Sequence, residues 1–313
     1  MAQVIAGMAS SHAYALSDPK DWDDMRAITR QRYARHYGFE PPEQPKVAEE
    51  SYEDVATRFE RIRSGFDFVR DHLEQTKPDT LVFIGDDQNE HFTDHIPQIA
   101  IYLGDEFVTH GTDRSGPTVR YKNDAGLAEK IFMDSVDAGI DMTAVRSFPD
   151  ELLRAHAFGP VLSRIDPEAR IPIVPIFVNA IHVPAPTPAR CYYYGQTIRK
   201  AVESYLGTSR VAFYASGGLS HFTGGYPWKY YEGPFSFGSV NEKFDRFIVG
   251  QMADGHGSDT AKLTNDDIIG NGEIEFRSWI TMLGAIGDAK PDLLVYEPFH
   301  RGVMGLAVGY WGF

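Results

Sequence analysis

Two histidines follow apolar runs of the chain, at positions from which an imidazole can act on a ligand. His12 comes after the apolar run 4–8 and a polar turn, and His221 comes after the run 211–215 and a pair of glycines. Small residues let the backbone approach a ligand closely, and imidazole both binds metals and exchanges a proton near neutral pH. The two histidines are therefore candidates for a metal site or for acid–base catalysis. Each of them, taken alone, also fits a structural hydrogen-bonding role.

The usual signatures of hydrolases and nucleotide-binding enzymes are absent from the sequence. No H-E-x-x-H helix, phosphate-binding glycine loop or G-x-S-x-G turn occurs, although 11 histidines stand among 44 acidic residues. Any chemistry must then come from residues that are distant in sequence. Gln88, just after the apolar run 80–84, and Glu275 join the two histidines as candidates.

The apolar runs that precede these residues are typical of buried strands. Runs 4–8, 80–84 and 211–215 each end in polar or glycine residues, and runs 171–178 and 293–296 also read as strands. Active sites of α/β proteins collect at the carboxyl ends of their strands. The sequence therefore predicts that residues following different strands meet in one site.

Helical patterns separate the predicted strands. Residues 52–74 place apolar side chains three or four apart on one stripe, and Thr187 with Pro188 begins a helix that ends before Gly207. Residues 240–252 and 273–286 are also predicted to be helical. This alternation predicts an α/β fold, and the absence of repeats and linkers predicts one catalytic domain over residues 1–313. We expect the charged, proline-containing residues 18–45 to form a surface excursion.

Composition excludes several classes of partner and site. The net charge is -14 without a basic run, which argues against a nucleic-acid partner. A single cysteine, Cys191, excludes an intramolecular disulfide and a cysteine-rich zinc site, and it favours a reducing compartment. No stretch is apolar enough for a membrane span or a signal peptide. We therefore expect a cytoplasmic protein with no membrane partner.

Four motifs agree in order and spacing with one enzyme family. They are Gly7-Met8-Ala9-Ser10-Ser11-His12, Gly217-Gly218-Leu219-Ser220-His221, Asn241-Glu242-Lys243-Phe244-Asp245, and Gly272-Glu273-Ile274-Glu275 followed by Trp279. The chain resembles the class III extradiol ring-cleavage dioxygenases, typified by the catalytic subunit of protocatechuate 4,5-dioxygenase. The segment before Pro78 and the turn Gly85-Asp86-Asp87-Gln88 are more similar to the branch that acts on methoxylated substrates such as 3-O-methylgallate.

The resemblance implies a fold, an activity and a cofactor. The fold would be a central mixed sheet flanked by helices. The activity would be that of an extradiol dioxygenase, an oxidoreductase that opens the ring of a catechol-type diol such as protocatechuate, gallate or a methoxylated gallate and incorporates both atoms of O2. The cofactor would be a mononuclear non-haem Fe(II), with His12 and Glu275 as two ligands of a facial triad.

Two more histidines receive roles from the same resemblance. His221 would be the acid–base catalyst, because an imidazole can take a proton from a substrate hydroxyl and return it. His156 lines up with a pocket histidine that hydrogen-bonds the substrate. A structural role for His156 beside a helix cap is an equally open alternative.

The second metal ligand departs from the family pattern. The family turn reads Asn-Asp-His, whereas this chain has Asp86-Asp87-Gln88. We predict that Gln88 binds the metal through its amide oxygen, with Glu90 as the next candidate and His91 also within reach. If none of them binds, the chain is a non-catalytic metal- or partner-binding protein on the same scaffold. A zinc-dependent hydrolase is a third alternative.

Substrate selection and assembly are less marked in the sequence. Four arginines are candidates for a carboxylate clamp, and none is assigned: Arg146, Arg154, Arg190 and Arg277. The aromatic-rich loop 224–238, with Trp228 and Tyr230, is predicted to cover a pocket, and an ordinary surface loop is the alternative. We expect a homo-oligomer.

Overall fold

The computed structural model describes residues 2–111, 117–148, 155–222 and 235–313. The strands in these residues are β1 Gln3–Ser10, β2 Thr80–Gly85, β3 Ile99–Tyr102, β4 Glu106–His110, β5 Thr118–Lys122, β6 Thr143–Val145, β7 Ile173–Val178, β8 Arg210–Ser216, β9 Leu293–Phe299 and β10 Met304–Gly312. The α-helices are α1 Trp22–Tyr37, α2 Pro45–Glu49, α3 Tyr52–Thr76, α4 Ala125–Asp137, α5 Gly159–Ile165, α6 Pro188–Ser204, α7 Glu242–Ala253, α8 Asn265–Gly270 and α9 Arg277–Ile286. Short 3₁₀ helices include Ala13–Leu16 and Ile274–Phe276.

A mixed sheet forms the centre of the described part of the chain. Its strand order is β6-β3-β7-β2-β8-β1-β10-β9, and β4 pairs with β5 in a separate hairpin. The four central strands β7, β2, β8 and β1 are parallel to one another. On one side β3 pairs antiparallel with β7 and parallel with β6, and on the other β10 pairs antiparallel with β1 and β9. The predicted α/β fold with a central mixed sheet flanked by helices is confirmed.

Hydrophobic layers cover both faces of this sheet. In β2, Leu81 and Phe83 pack into one layer, and Val82 and Ile84 pack into the other. This alternation places one helical layer on each face. Helices α3 and α5 contribute to the first layer, and helices α4, α6, α7 and α9 contribute to the second. A strand buried on both faces is apolar throughout, which is why runs such as 80–84 are recognisable in the sequence.

Helices α3 and α6 begin where the sequence predicts. The Ser51 side chain accepts a hydrogen bond from the Asp54 amide at the start of α3. Thr187 does the same for the Arg190 amide at the start of α6, where proline occupies the first turn. Each cap satisfies an amide that has no partner within the helix.

Other elements differ from the prediction. The excursion 18–45 contains the long helix α1, of which only Trp22 is buried, so the sequence carries no apolar stripe that would reveal it. The predicted helix 273–286 begins at Arg277, because a 3₁₀ turn in which the Phe276 amide bonds to the Glu273 carbonyl precedes it. The run 293–296 is the start of the edge strand β9, and the glycine-rich strand β10, which the prediction omitted, follows it.

Among the described residues, no helix has both the length and the apolar character that crossing a bilayer requires.

Candidate functional site

The carboxyl ends of three neighbouring strands carry the polar residues of one buried cluster. His12 follows β1, Asp86 follows β2 and His221 follows the turn after β8. These strands are parallel neighbours, so their ends meet at the same edge of the sheet. Glu275 reaches this edge from the 3₁₀ turn before α9, and all four side chains are buried. The structure thus brings together His12, His221 and Glu275 as the sequence predicted.

Four side chains present metal-binding atoms to a common point. His12, Asp86, His156 and Glu275 each offer one ligand atom, and these atoms lie within 4.8 Å of one another. His12 Nε2 is 3.5 Å from Glu275 Oε2, and His156 Nε2 is 3.7 Å from Asp86 Oδ1. Ligand atoms on opposite sides of one ion bound at about 2.1 Å would lie about 4 Å apart. The 3.5 and 3.7 Å distances fall within that limit, and atoms separated by 4.8 Å would have to approach by about 0.6 Å for all four to bind a single ion.

Contacts outside the cluster orient two of these donors. Nδ1 of His12 lies 3.1 Å from the Ser216 hydroxyl oxygen, which leaves Nε2 facing the cluster. The Gly218 amide donates to Glu275 Oε2 at 2.9 Å. A side chain added at Gly217, where φ is +147°, would come within 2.9 Å of the Glu275 Cβ, so glycine allows this close approach. Such outer contacts hold metal ligands in one orientation.

Charge in the cluster favours a cation. Burial and the nearby Glu275 raise the pKa of Asp86 to about 8, and burial lowers the pKa of His12 to about 4 against the attraction of Glu275. Asp86 Oδ1 is buried, and the described residues give it no hydrogen-bond donor. Two buried carboxylates with an unfilled acceptor are stabilised by a divalent ion, and imidazole with carboxylate donors suits iron, manganese or zinc. The residues present therefore fit a metal centre.

His156 lies between two carboxylates at the partly exposed side of the cluster. Its Nδ1 is 2.6 Å from Glu90 Oε1, and its ring packs edge-on against that of His12 at a centroid distance of 4.7 Å. Burial lowers the pKa of His156, but Glu90 and Asp86 outweigh it and raise the pKa to about 10. The substrate contact that the resemblance implies for His156, and the structural alternative, both stay predictions. The structure places the His156 side chain in the four-donor group, with Nε2 3.7 Å from Asp86 Oδ1.

Gln88 lies on the exposed side of the cluster with its amide turned toward Glu275. Its Nε2 donates to Glu275 Oε1 at 2.6 Å and lies 3.4 Å from Asp86 Oδ2. A carboxylate only accepts hydrogen bonds, so the amide nitrogen must face it. In this arrangement the amide nitrogen of Gln88, and not its oxygen, faces the cluster. That Gln88 binds a metal through its oxygen stays a prediction. Asp86, two residues earlier, offers the carboxylate oxygen that sequence reasoning did not consider.

The other two alternatives of the same turn have different contacts. Glu90 pairs with His156, as described above. The His91 ring stacks on Phe148 at a centroid distance of 3.8 Å, and its amide donates to Asp87. Neither side chain belongs to the four-donor group.

His221 sits beside Glu275 with its ring fixed at both nitrogens. Nδ1 lies 2.8 Å from the Leu219 carbonyl oxygen, and Nε2 lies 3.2 Å from Glu275 Oε1. Because a carbonyl cannot donate, Nδ1 carries a hydrogen. Burial lowers the pKa of His221, but the charge and hydrogen bond of Glu275 outweigh it and raise the pKa. Nε2 is therefore the atom that can exchange a proton at the cluster.

The candidate arginines have varied surroundings. Arg146 and Arg190 are exposed, and Arg190 donates to the Tyr194 hydroxyl. Arg277 is fully buried and donates to Pro186 O, Ile274 O and Asn265 Oδ1. Arg154 and the predicted cover around Trp228 and Tyr230 lie outside the described residues.

Most of the chain matches one protein family. Residues 41–307 match the family described as the catalytic LigB subunit of aromatic ring-opening dioxygenase. The chain belongs to this LigB family. The matched residues include Asp86, His156, His221 and Glu275. His12 precedes the match, and its place in the site rests on its position beside Glu275. The predicted family is confirmed, and at the level of the family so is the predicted enzyme class, the ring-opening dioxygenases.

Individual proteins similar to this LigB-family chain include two named dioxygenases. The chain is 23% identical over 291 residues to a 2,3-dihydroxyphenylpropionate/2,3-dihydroxicinnamic acid 1,2-dioxygenase of Rhodococcus sp, covering 79% of this chain and 89% of the relative. It is 40% identical over 76 residues to a gallate dioxygenase of Pseudomonas putida, covering 24% of this chain but only 22% of the relative.

A solved structure shares the fold. The uncharacterized protein JW3007 from Escherichia coli K12 is 12% identical in sequence and superposes with a TM-score of 0.50, covering 98% of this chain and 100% of the other. This likeness concerns the fold alone.

The role of Gln88 is testable by removing its side chain. If Gln88 only donates to Glu275, Gln88→Ala should retain stoichiometric metal and weaken metal affinity by roughly 10- to 100-fold, as losses of outer contacts do. Metal content after dialysis and calorimetric titration measure both quantities. Gln75→Ala, the same substitution at an exposed glutamine of α3, is the matched control. Loss of stoichiometric metal in Gln88→Ala alone would instead make Gln88 a ligand.

Proposed function

We propose that this chain is an Fe(II)-dependent extradiol dioxygenase that opens the ring of a catechol-type aromatic diol with O2. The observation that carries the proposal is the buried cluster of two imidazoles and two carboxylates with His221 beside it, in a chain of the LigB family. Protocatechuate, gallate and methoxylated gallates are the first substrates to test. The name of the gallate dioxygenase relative supports this choice.

The metal would be held by the four donors of the cluster, His12, Asp86, His156 and Glu275. When bound, a ferrous ion would supply open coordination positions and a redox couple, which an aromatic diol needs in order to react with triplet dioxygen. Gln88 and the Gly218 amide hold Glu275 in place through hydrogen bonds to its two oxygens. The burial of His12, Asp86 and Glu275 limits the access of bulk water to these donors.

His221 would handle the proton of a substrate hydroxyl. Its Nδ1 hydrogen is committed to the Leu219 carbonyl, so only Nε2 is available for exchange. Nε2 is 3.2 Å from Glu275 Oε1 and therefore borders the cluster at which the diol would bind. A histidine so placed can accept a hydroxyl proton on binding and return it as the ring opens.

Oxygen uptake tests the proposed function directly. Protein reconstituted anaerobically with Fe(II) should consume equimolar O2 when given a substrate diol, measured with an oxygen electrode across a panel of catechols, gallates and methoxylated gallates. The zinc-loaded protein, prepared in parallel, should consume none, because zinc has no redox chemistry. If the protein binds stoichiometric iron but consumes no O2 with any diol, the non-catalytic binding protein is the better interpretation. If the zinc-loaded protein turns over a substrate without oxygen, the hydrolase is the better interpretation.

Three further expectations stay predictions. We propose one catalytic domain over residues 1–313, a homo-oligomer and a cytoplasmic location. The shared central sheet supports the first of these, since both hydrophobic layers pack on it. Light scattering during size-exclusion chromatography measures the oligomeric state.

A further inference from the structure

A buried carboxylate lies behind the turn that carries His221. Asp245, in the first turn of α7, is fully buried. Its Oδ1 accepts a hydrogen bond from the Ser220 amide at 3.2 Å, and its Oδ2 accepts one from the Ser220 hydroxyl at 2.9 Å. The Tyr296 hydroxyl of β9 donates to the same Oδ2 at 2.5 Å. The Asp245 carboxylate thus accepts hydrogen bonds from both the backbone and the side chain of Ser220, the residue before His221.

Hydrogen bonds connect the position of Ser220 to the orientation of the His221 ring. The Ser220 carbonyl accepts from the Gly305 amide, and the Leu219 amide donates to the Gly305 carbonyl, so β10 holds the same segment. The Leu219 carbonyl in turn accepts from His221 Nδ1 and sets the direction of Nε2. A shift of Ser220 would therefore rotate the imidazole away from Glu275.

This carboxylate has no cationic partner in the described residues. No ion pair there joins Asp245 to a lysine, arginine or histidine. The carboxyl of the neighbouring Glu273 is also fully buried and interacts with Asp245, and burial raises the pKa of both groups. Burying a carboxylate without a counter-charge costs stability, and a well-packed apolar residue would cost less. The Asp245 carboxylate accepts two hydrogen bonds from Ser220, and an apolar side chain could not accept either of them.

We propose that Asp245 is a positioning residue that acts through Ser220 to aim His221 Nε2 at the metal-donor cluster. The inference rests on the proposed function for the role of His221, but not for the hydrogen-bonded arrangement itself. In the part of the chain that the structure describes, Asp245 makes no hydrogen bond to any of the four donors, and its hydrogen-bond donors are Ser220 and Tyr296. Its influence on turnover passes entirely through the turn 217–221.

Substitution of Asp245 by asparagine keeps the volume and changes the acceptors. In Asp245→Asn, an amide nitrogen replaces one of the two oxygens and cannot accept from Ser220 or Tyr296. We expect kcat to fall roughly 10- to 100-fold, a part of what a general acid–base residue contributes, with KM within about threefold. Tyr296→Phe is the matched control, because it removes a hydrogen bond to the same carboxylate and leaves both Ser220 bonds. Its kcat should stay within about threefold of wild type.

A double-mutant cycle and hydrogen exchange separate positioning from general destabilisation. In a His221→Ala background, Asp245→Asn should cause no further loss of kcat, because residues that act as a unit are not additive. In the metal-free protein, the Ser220 and His221 amides should exchange faster in Asp245→Asn than in Tyr296→Phe, with other buried amides unchanged.

Two results would overturn the proposal. One is an equal loss of kcat with and without His221, and the other is unchanged exchange of the 217–221 amides in Asp245→Asn. The exchange measurement needs no turnover. If the wild-type protein consumes no O2, the proposed function fails, and exchange still decides whether Asp245 holds the turn.

Discussion

Replacing Glu275 by glutamine should abolish stoichiometric metal binding and, with it, O2 consumption. Glu275 is the residue on which the cluster converges: His12 Nε2, His221 Nε2 and the Gln88 amide all lie within 3.5 Å of one or the other of its oxygens. The pKa of Glu275 is lowered, since attraction to His221 and His12 outweighs its burial. It is therefore a charged donor at neutral pH, and the amide of glutamine removes that charge at nearly constant volume.

The expected loss in metal affinity is at least about 100-fold, above the range seen when only an outer contact is lost. Calorimetric titration with Fe(II) under nitrogen measures it, and metal content after dialysis confirms it. Glu273→Gln is the matched control: Glu273 is equally buried and two residues away, but it is outside the donor group and should retain its metal. Wild-type affinity in Glu275→Gln would show that the cluster is not the metal site.

Much of the framework of this site was predictable because its strands are buried on both faces. Such strands read as apolar runs, and the residue after each run lies at the sheet edge where ligands bind. His12 and His221 could be singled out on that basis alone. The order of strands in the sheet is a matter of long-range pairing, however, and no local pattern predicted that the glycine-rich β10 pairs with β1.

The turn after β2 shows why the rest of the site was not predictable. Asp86 and Gln88 both follow β2, and each side chain carries an oxygen that can coordinate a metal. The orientation of the Gln88 amide depends on Glu275, which lies 187 residues away in the chain and accepts a hydrogen bond from it. His156 poses the same problem, because it stands in a segment without helix or strand periodicity and reaches the cluster only through tertiary packing.

Replacing His221 by glutamine should leave the metal in place and remove most of the turnover. His221 belongs to the turn after β8 and is not one of the four donors. Glu275 keeps the hydrogen bonds from Gln88 and the Gly218 amide, and the amide of the new glutamine can replace the one from His221, so the carboxylate stays oriented. We expect Fe(II) affinity within about threefold of wild type and kcat lower by about 100-fold or more, the range of a lost general acid–base residue.

A large fall in kcat with an unchanged affinity for Fe(II) would distinguish His221 from a metal ligand. Oxygen-electrode kinetics give kcat, and anaerobic calorimetry gives the affinity for Fe(II). His256→Gln, at an exposed histidine before a 3₁₀ helix, controls for the loss of an imidazole elsewhere in the chain. A parallel fall of affinity and kcat would make His221 a metal ligand, and an unchanged kcat would leave it a structural histidine. Because Nδ1 is committed to the Leu219 carbonyl, a glutamine can replace one hydrogen bond of the ring but cannot carry a proton from one side of the reaction to the other.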